Sequence, residues 1–254
     1  MKHLLWSAIA VLALGALPTT RAQAAEITLI GPGGVRAAAE ELIPGFEKKT
    51  GNKVKATFGS GLGTKAQVTK GDVFDVVIAQ PPYPELLASG NVVVTSATPL
   101  ATVAVGIAVK KGAKKPDIST PDAVKKALLG AKSVSYPDAK GGAAAGVSFL
   151  ETLKKMGIAD QMQATLKPAQ GGAGAMKMAA TGEAEIGLTF MSEMEDPGVD
   201  IVGPLPTQIS ELTKLVGFVH VKAKDPAAAK ALLEYLSSPV AAAVYKKLGM
   251  QPGR

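Results

Sequence analysis

The chain has 254 residues, of which 47% are hydrophobic and 19% charged, and its formal net charge is +7 at pH 7. It contains no cysteine and only two histidines, which excludes a disulfide framework and any thiolate metal site. The lysines are spread along the sequence without the basic and aromatic clustering that nucleic-acid binding requires, so we expect a small anionic ligand, no nucleic acid, no metal and no cofactor.

The N-terminus has the pattern of a cleaved secretory signal. A basic start precedes an apolar run over 4–18, and a small-residue A-x-A pattern follows at 22–24. The apolar run is shorter than the about 20 residues that a membrane-spanning helix needs, so we expect 1–25 to be a signal peptide and the mature chain to reside in the periplasm. An uncleaved N-terminal anchor is the alternative, and it also leaves the domain outside the cytoplasm.

The rest of the chain alternates between strand and helix patterns. The predicted strands are 26–30, 53–58, 73–79, 103–109, 133–136, 185–190, 200–202 and 215–221. The predicted helices are 35–49, 64–70, 84–89, 121–129, 147–156, 175–181, 226–237 and 240–248, with Thr120 as an N-cap before Pro121. This alternation predicts an α/β fold with parallel strands, helices on both faces and ligands beyond the carboxyl ends of the strands.

Glycine-rich stretches occur where predicted strands meet predicted helices. They lie at 31–34, 59–63, 137–146 and 171–174. Because glycine lacks a Cβ, backbone N–H groups there can approach a ligand closely, and the first N–H groups of a helix lie at the positive end of its dipole. Each stretch alone also fits an ordinary strand-to-helix connection. Their repetition favours an anion site built largely from backbone donors.

Side chains beside these stretches supply further donors. Arg36 lies near the start of the first helix, Ser60 and Thr64 add hydroxyl groups beside the second glycine stretch, Lys65 adds a full charge there, and Lys140 is the charge nearest the third. The sequence matches neither the Walker loop nor G-x-G-x-x-G, so a nucleotide site is not indicated.

Several stretches resemble a known family, namely 46–80, 136–158, 182–194 and 232–250. In this order they are similar to the periplasmic molybdate-binding-protein-like family of type II solute-binding proteins, over nearly the whole mature chain. The resemblance implies a two-lobed type II periplasmic-binding-protein fold, in which each lobe is a mainly parallel sheet flanked by helices and the ligand closes the cleft between them.

The resemblance also implies a domain organisation and a partner. Lobe 1 comprises 26–103 and 208–254, and lobe 2 comprises 104–207. The protein is expected to be a monomer that delivers a small anion to the membrane permease of an ABC transporter.

The family's oxyanion contacts correspond here to Gly34, to Ser60 with Gly61, to the region 142–144 and to Phe190. The family usually has a serine where Gly34 stands and a tyrosine where Phe190 stands, so two hydroxyl donors are missing. Longer charged donors nearby favour an organic di- or tricarboxylate over molybdate. The complete set of candidate ligand-binding residues is Gly33, Gly34, Arg36, Ser60, Gly61, Thr64, Lys65, Gln80, Lys140, Gly141, Gly142, Ala143, Phe190 and Met191.

The resemblance extends to periplasmic aconitate isomerases, which gives an alternative hypothesis. An allylic proton shift needs positioned carboxylates and one base. Lys65, Asp138, Glu193 and His220 are the candidates for that base, and the sequence marks out none of them. We expect a receptor that binds without isomerisation, while a structural or adhesive surface domain would have no use for the repeated glycine stretches.

Overall fold

The computed structural model describes residues 24–253, so the predicted signal peptide lies outside the described residues except for its last two. The strands are β1 (Glu26–Pro32), β2 (Lys53–Gly59), β3 (Val76–Ala79), β4 (Thr98–Val103), β5 (Val105–Lys110), β6 (Val134–Pro137), β7 (Leu166–Ala169), β8 (Ile186–Phe190), β9 (Val199–Pro204), β10 (Thr213–Val219) and β11 (Gln251–Pro252). The α-helices are α1 (Arg36–Thr50), α2 (Gly61–Thr69), α3 (Pro84–Ala88), α4 (Pro121–Gly130), α5 (Ala144–Lys155), α6 (Ala159–Met162), α7 (Gly171–Thr181), α8 (Pro226–Leu236) and α9 (Pro239–Lys247).

These strands form two sheets. The first has the order β11-β4-β10-β3-β1-β2 and the second the order β7-β6-β8-β5-β9. The chain passes from the first sheet to the second at Ala104, between β4 and β5, and returns between β9 and β10. Two sheets flanked by helices confirm the predicted α/β class.

Both sheets are mixed rather than mainly parallel. β1 runs parallel to β2 and β3, and β6 runs parallel to β7 and β8. The strands next to the two crossings, β4 and β10 in one sheet and β5 and β9 in the other, pair in antiparallel fashion. The sequence predicted a strand over 103–109, which corresponds to β5, but missed β4, because β4 contains a proline and two threonines and lacks the continuous apolar run of β5.

The core follows the apolar spacing of the sequence. In α1 the buried residues Ala38, Leu42 and Phe46 recur every four positions and therefore lie on one face of the helix. Phe46 packs against Tyr235 of α8, with ring centroids 5.7 Å apart. One continuous apolar cluster contains residues of both sheets, including Leu29 of β1 and Leu188 of β8. No helix within residues 24–253 has the length and apolar character needed to cross a membrane.

Helix starts differ in how they are capped. The side chains of Thr120, Asp225 and Ser238 accept hydrogen bonds from the third backbone N–H of α4, α8 and α9, and a proline follows each cap. The predicted Thr120 cap is thereby confirmed. By contrast, α5 and α7 begin without a side-chain cap. Their first N–H groups therefore remain available to another acceptor.

Candidate anion-binding site

A cavity of about 740 Å³ lies between the two sheets. It is lined by the residues that end or follow all six parallel strands: Pro32, Gly59, Gln80, Pro137, Ala169 and Phe190. Parallel strands place their carboxyl ends at one edge of a sheet, and in an α/β fold this edge is where ligands bind. The topology therefore opens the ligand edges of both sheets onto the same space.

The starts of four helices line this cavity. A 3-10 turn, Gly33–Val35, leads into α1, while Gly61 begins α2, Ala144 begins α5 and Gly171 begins α7. The first turn of a helix carries unpaired N–H groups and the positive end of the helix dipole. Several such turns around one space make a site for an anion with negative groups at several positions.

Glycines sit at these starts because a side chain would fill the space. A Cβ on Gly61 would come within 1.9 Å of the Gln80 amide nitrogen, and one on Gly172 within 2.5 Å of a Glu193 oxygen. The sequence assigned 59–63 and 171–174 to loops, because glycine has a low helix propensity. In the structure Gly61, Gly63 and the glycines of α7 lie inside first helical turns, and of these Gly61, Gly171 and Gly172 line the cavity.

Three polar side chains of the cavity wall lie just after the three parallel strands of the first sheet. Arg36 lies with its guanidinium 5.5 Å from the Phe58 ring centroid, and no salt bridge among residues 24–253 includes it. Ser60 caps α2 by accepting from the Gly63 N–H at 3.2 Å, which leaves the hydroxyl hydrogen for a ligand. Gln80 is 3% exposed, and its Oε1 has no hydrogen-bond partner among the described residues.

The two departures from the family pattern touch each other. A Cβ on Gly34 would lie 2.9 Å from the Phe190 ring, and both residues line the cavity. The Gly34 carbonyl accepts a hydrogen bond of 2.8 Å from the Ser192 hydroxyl, which fixes the segment after β8 against the start of α1. At this place the Phe190 ring therefore occupies the space beside Gly34, and neither residue offers a hydroxyl group to a ligand.

Three carboxyl groups also line the cavity, those of Asp138, Glu193 and Glu195. Glu193 is half-buried, and the Thr189 hydroxyl donates a short hydrogen bond to its Oε2. Burial raises the pKa of Glu193, while the hydrogen bonds from Thr189 and the Phe190 backbone and the charge of Arg36 act in the opposite direction. Glu193 therefore retains a proton more readily than an exposed glutamate.

Lys65 does not face the cavity, which corrects the expectation that its charge meets the ligand. The side chain is 9% exposed, and its ammonium donates to the carbonyl oxygens of Gln80 at 3.2 Å and Pro82 at 2.6 Å. Burial lowers the pKa of Lys65, with the charge of Glu85 opposing. The helical position of Lys65 was predictable from the sequence, but the direction of its side chain, which turns towards the loop after β3, was not.

The remaining predicted residues divide between the cavity wall and its surroundings. Gly33, Gly141 and Ala143 line the cavity. Thr64 is buried and bonds to the backbone of its own helix, Lys140 is exposed, and Gly142 accepts a hydrogen bond from the Leu62 N–H at 3.2 Å. Met191 packs beside Gly106 and Gly249. None of these last four belongs to the lining residues.

His220, one of the four candidate bases, lies at the opposite edge of the first sheet. It follows β10, its N–H donates to the Asp75 carbonyl at 3.1 Å, and its Nδ1 accepts from the Lys222 N–H at 3.0 Å. Burial lowers its pKa, the Lys222 charge lowers it further, and Asp75 opposes. Lys65 and His220 are therefore both remote from the cavity, and Asp138 and Glu193 remain.

Some lining residues were missed by sequence reasoning. They are the start of α7 with Gln170, together with Ser192 and Glu195 on the segment after β8. Glu193 was named only as a candidate base and not as a ligand-binding residue. The glycine stretch at 171–174 was noted as a possible cradle but did not enter the candidate set. Its position at the end of β7 was the available signal, since the carboxyl ends of parallel strands gather at the ligand edge.

Comparison with known proteins gives the family. The model of bacterial extracellular solute-binding proteins matches residues 27–251, and the chain belongs to this family. It is 34% identical to the aconitate isomerase of a Pseudomonas species over 96% of this chain and 95% of that protein. It is 32% identical to the molybdate-binding protein ModA of Azotobacter vinelandii over 94% of this chain and 95% of that protein.

Solved structures agree on the fold. The periplasmic molybdate-binding protein of Azotobacter vinelandii superposes with a TM-score of 0.74 at 20% identity, over 88% of this chain and 98% of that one. The substrate-binding domain of a molybdenum ABC transporter of Clostridium difficile gives 0.72 at 16% identity, over 90% of this chain and 99% of that one. At these identities the likeness shows a shared fold, here the two-lobed type II fold of the molybdate-binding-protein-like proteins.

Proposed function

We propose that the protein is an exported monomeric receptor that captures an organic di- or tricarboxylate and delivers it to the permease of an ABC transporter. The observation that carries this proposal is the convergence of four helix starts on one cavity of about 740 Å³. This volume lies in the range of about 300–1,000 Å³ found for small-molecule pockets. A tetrahedral oxyanion needs donors aimed at one point, whereas a polycarboxylate uses donors at several separate positions.

The chemistry of the wall supports a carboxylate ligand. The guanidinium of Arg36 presents paired N–H donors in the geometry that suits a carboxylate. The Gly34 and Phe190 positions offer no hydroxyl to an oxyanion, and the Phe190 ring adds an apolar wall suited to a carbon skeleton. The similarity to a protein named for aconitate, an organic tricarboxylate, points in the same direction.

A thermal-shift panel tests the ligand class. Molybdate, tungstate, sulfate, phosphate, citrate, cis-aconitate and trans-aconitate are added separately to the mature protein. A ligand at 100 times its dissociation constant adds about 2.7 kcal/mol to stability, which this assay detects. We expect an organic acid to give the largest shift and Arg36→Lys to reduce it, with Lys140→Ala as the control outside the cavity. A larger shift with molybdate or tungstate would overturn the proposed ligand class.

Isomerisation of a tricarboxylate is the second candidate function. It is favoured by the presence of Asp138 and Glu193 in the cavity and by the similarity to an aconitate isomerase. In this reaction a base removes a proton from the methylene carbon, the double bond shifts, and a proton returns to the far carbon. Incubation with cis- or trans-aconitate in D₂O, followed by NMR, separates the two functions. The receptor leaves the carbon-bound protons unchanged, while interconversion lost in Glu193→Gln or Asp138→Asn identifies the isomerase.

A further inference from the structure

Glu193 stands in a position that an anion site would ordinarily keep free of negative charge. It ends the 3-10 turn Met191–Glu193 after β8. Its carboxyl group lies between the start of α1, which follows a strand of the first sheet, and the start of α7, which follows a strand of the second. A Cβ on Gly33 would be 2.7 Å from its Oε1, and a Cβ on Gly172 would be 2.5 Å from its Oε2. Two glycines thus leave the room that this side chain fills.

The charged groups around the Glu193 carboxyl group come from α1, from the segment after β6 and from its own segment. Arg36 on α1 is the cation whose charge acts on it. Asp138 after β6 and Glu195 on its own segment are the other carboxyl groups of the cavity wall, and the lining residues from the starts of α2 and α7 carry no charge. No salt bridge among residues 24–253 includes Glu193. Its charge is therefore only partly compensated before a ligand arrives.

An anion that enters this cavity meets the same carboxyl group. An ionised Glu193 would repel it, since two like charges in a partly buried site oppose each other's ionisation. A protonated Glu193 instead donates an O–H hydrogen bond to the anion. When two carboxyl groups share a site, they hold one proton between them and titrate as a pair.

We propose that Glu193 is a specificity-determining residue that holds a proton against the bound anion, so that capture of each anion takes up one proton from solvent. This inference rests on the proposed function in one respect, that the cavity binds anions. It deepens that function by favouring carboxylates, whose ordinary pKa lies close to that of a glutamate, so that the proton can be shared between ligand and protein. Burial of Glu193, which raises its pKa, acts in the direction that the inference needs.

Isothermal titration calorimetry at pH 8, in PIPES and in Tris, measures the proton taken up, because the two buffers differ in ionisation enthalpy. The probes are cis-aconitate and molybdate. For the wild-type protein we expect uptake of about one proton per anion and an affinity that falls by up to about ten-fold per pH unit between the pKa of Glu193 in the free protein and its higher pKa in the complex. Glu193→Gln replaces the proton with a permanent N–H donor, so its uptake should be near zero and its affinity should exceed that of the wild type at pH 9.

The controls assign the proton to one residue. Asp138→Asn and Glu195→Gln remove the other lining carboxyl groups and should retain the uptake, and circular dichroism confirms that each variant is folded. Equal uptake in the wild type and Glu193→Gln, or no uptake in the wild type, would overturn the inference. Tighter binding of molybdate would contradict the proposed ligand class alone, because uptake is still measured with that probe.

A ligand-free measurement completes the test. In protein labelled with ¹³C at the glutamate carboxyl carbon, the resonance lost in Glu193→Gln reports the titration of Glu193 directly. A midpoint above the ordinary range of a glutamate but below pH 8 supports the inference, because the free carboxyl group is then ionised at pH 8 and can gain a proton. A midpoint above pH 8 overturns it, because the proton would already be present before the anion arrives.

Discussion

Two carboxyl groups lie at opposite ends of parallel strands, Asp75 before β3 of the first sheet and Glu193 after β8 of the second, and the difference between them separates structure from function. At the amino edge of the parallel strands, Asp75 accepts hydrogen bonds from the Thr28 N–H and hydroxyl at 2.7 and 2.6 Å and from the Lys224 N–H at 2.6 Å. At the carboxyl edge of the parallel strands in the second sheet, Glu193 accepts a hydrogen bond from the Thr189 hydroxyl of β8 and otherwise faces the cavity.

The pKa shifts of the two carboxyl groups follow from their partners. Burial raises the pKa of Asp75, but the hydrogen bonds from Thr28 and the Lys224 backbone lower it by more, so the net shift is downward. For Glu193 the effect of burial prevails, and the net shift is upward. A carboxylate whose donors come from several parts of the chain holds the fold together, whereas one that has only local donors and faces a cavity is available to a ligand.

The largest expected effect is the loss of stability when Asp75, the structural carboxylate, is removed. Asp75→Ala leaves buried donors on β1 and after β10 without an acceptor, so we expect the free energy of unfolding to fall by about 3 kcal/mol or more. Asp72→Ala, on the exposed turn nearby, is the matched control and should change it by less than about 0.5 kcal/mol. Urea unfolding at pH 7 measures both, and equal effects would contradict the assigned role of Asp75.

The same comparison gives a pH dependence. Because the folded-state pKa of Asp75 is lowered, its stabilisation is fully present above the unfolded value of about 3.9 and is lost as pH falls through the folded value. The difference in unfolding free energy between wild type and Asp75→Ala should therefore shrink only in acid, below pH about 4. A difference that already shrinks between pH 8 and 6 would assign the stabilisation to another group.

A smaller effect on stability is expected at the contact between Gly34 and Phe190 in the cavity wall. Gly34→Ala places a Cβ 2.9 Å from the Phe190 ring and should cost about 1–3 kcal/mol of unfolding free energy. Combined with Phe190→Leu, it should cost less than the sum of the two single changes, because the shorter side chain gives way. Gly130→Ala at the end of α4 meets nothing within 4 Å and serves as the control. Additive costs would show that the two positions do not interact.

The smallest effect concerns two lysines that the sequence treats alike. Lys65→Met removes the donor to the Gln80 and Pro82 carbonyls, so we expect a loss of about 1–3 kcal/mol in the free energy of unfolding. Lys140→Met, at an exposed site outside the cavity, should lie within about 0.5 kcal/mol of the wild type. Thermal denaturation with and without cis-aconitate measures stability and binding together, and an unchanged stability for Lys65→Met would return that residue to a binding role.

The sequence predicted the α/β class and the order of its elements, because apolar runs and glycine stretches report local preferences. It also selected Gly33, Gly34 and Gly61, which line the cavity, since such residues follow strands that end at one edge. It could not give the direction of the Lys65 side chain, nor choose between Glu193 and His220, because both depend on which side of a sheet a segment reaches. Those distinctions arise only when the strands pair.

Amide NMR is the most direct test of the claim that helix starts from both sheets form one anion site. In ¹⁵N-labelled protein titrated with cis-aconitate, we expect the signals of Gly33, Gly61, Ala144 and Gly172 to shift together with a single dissociation constant. The amides of Lys65 and Lys140 should shift less, although each lies only four residues from one of these positions. Shifts confined to one sheet, or to the exposed lysines, would contradict a shared cavity.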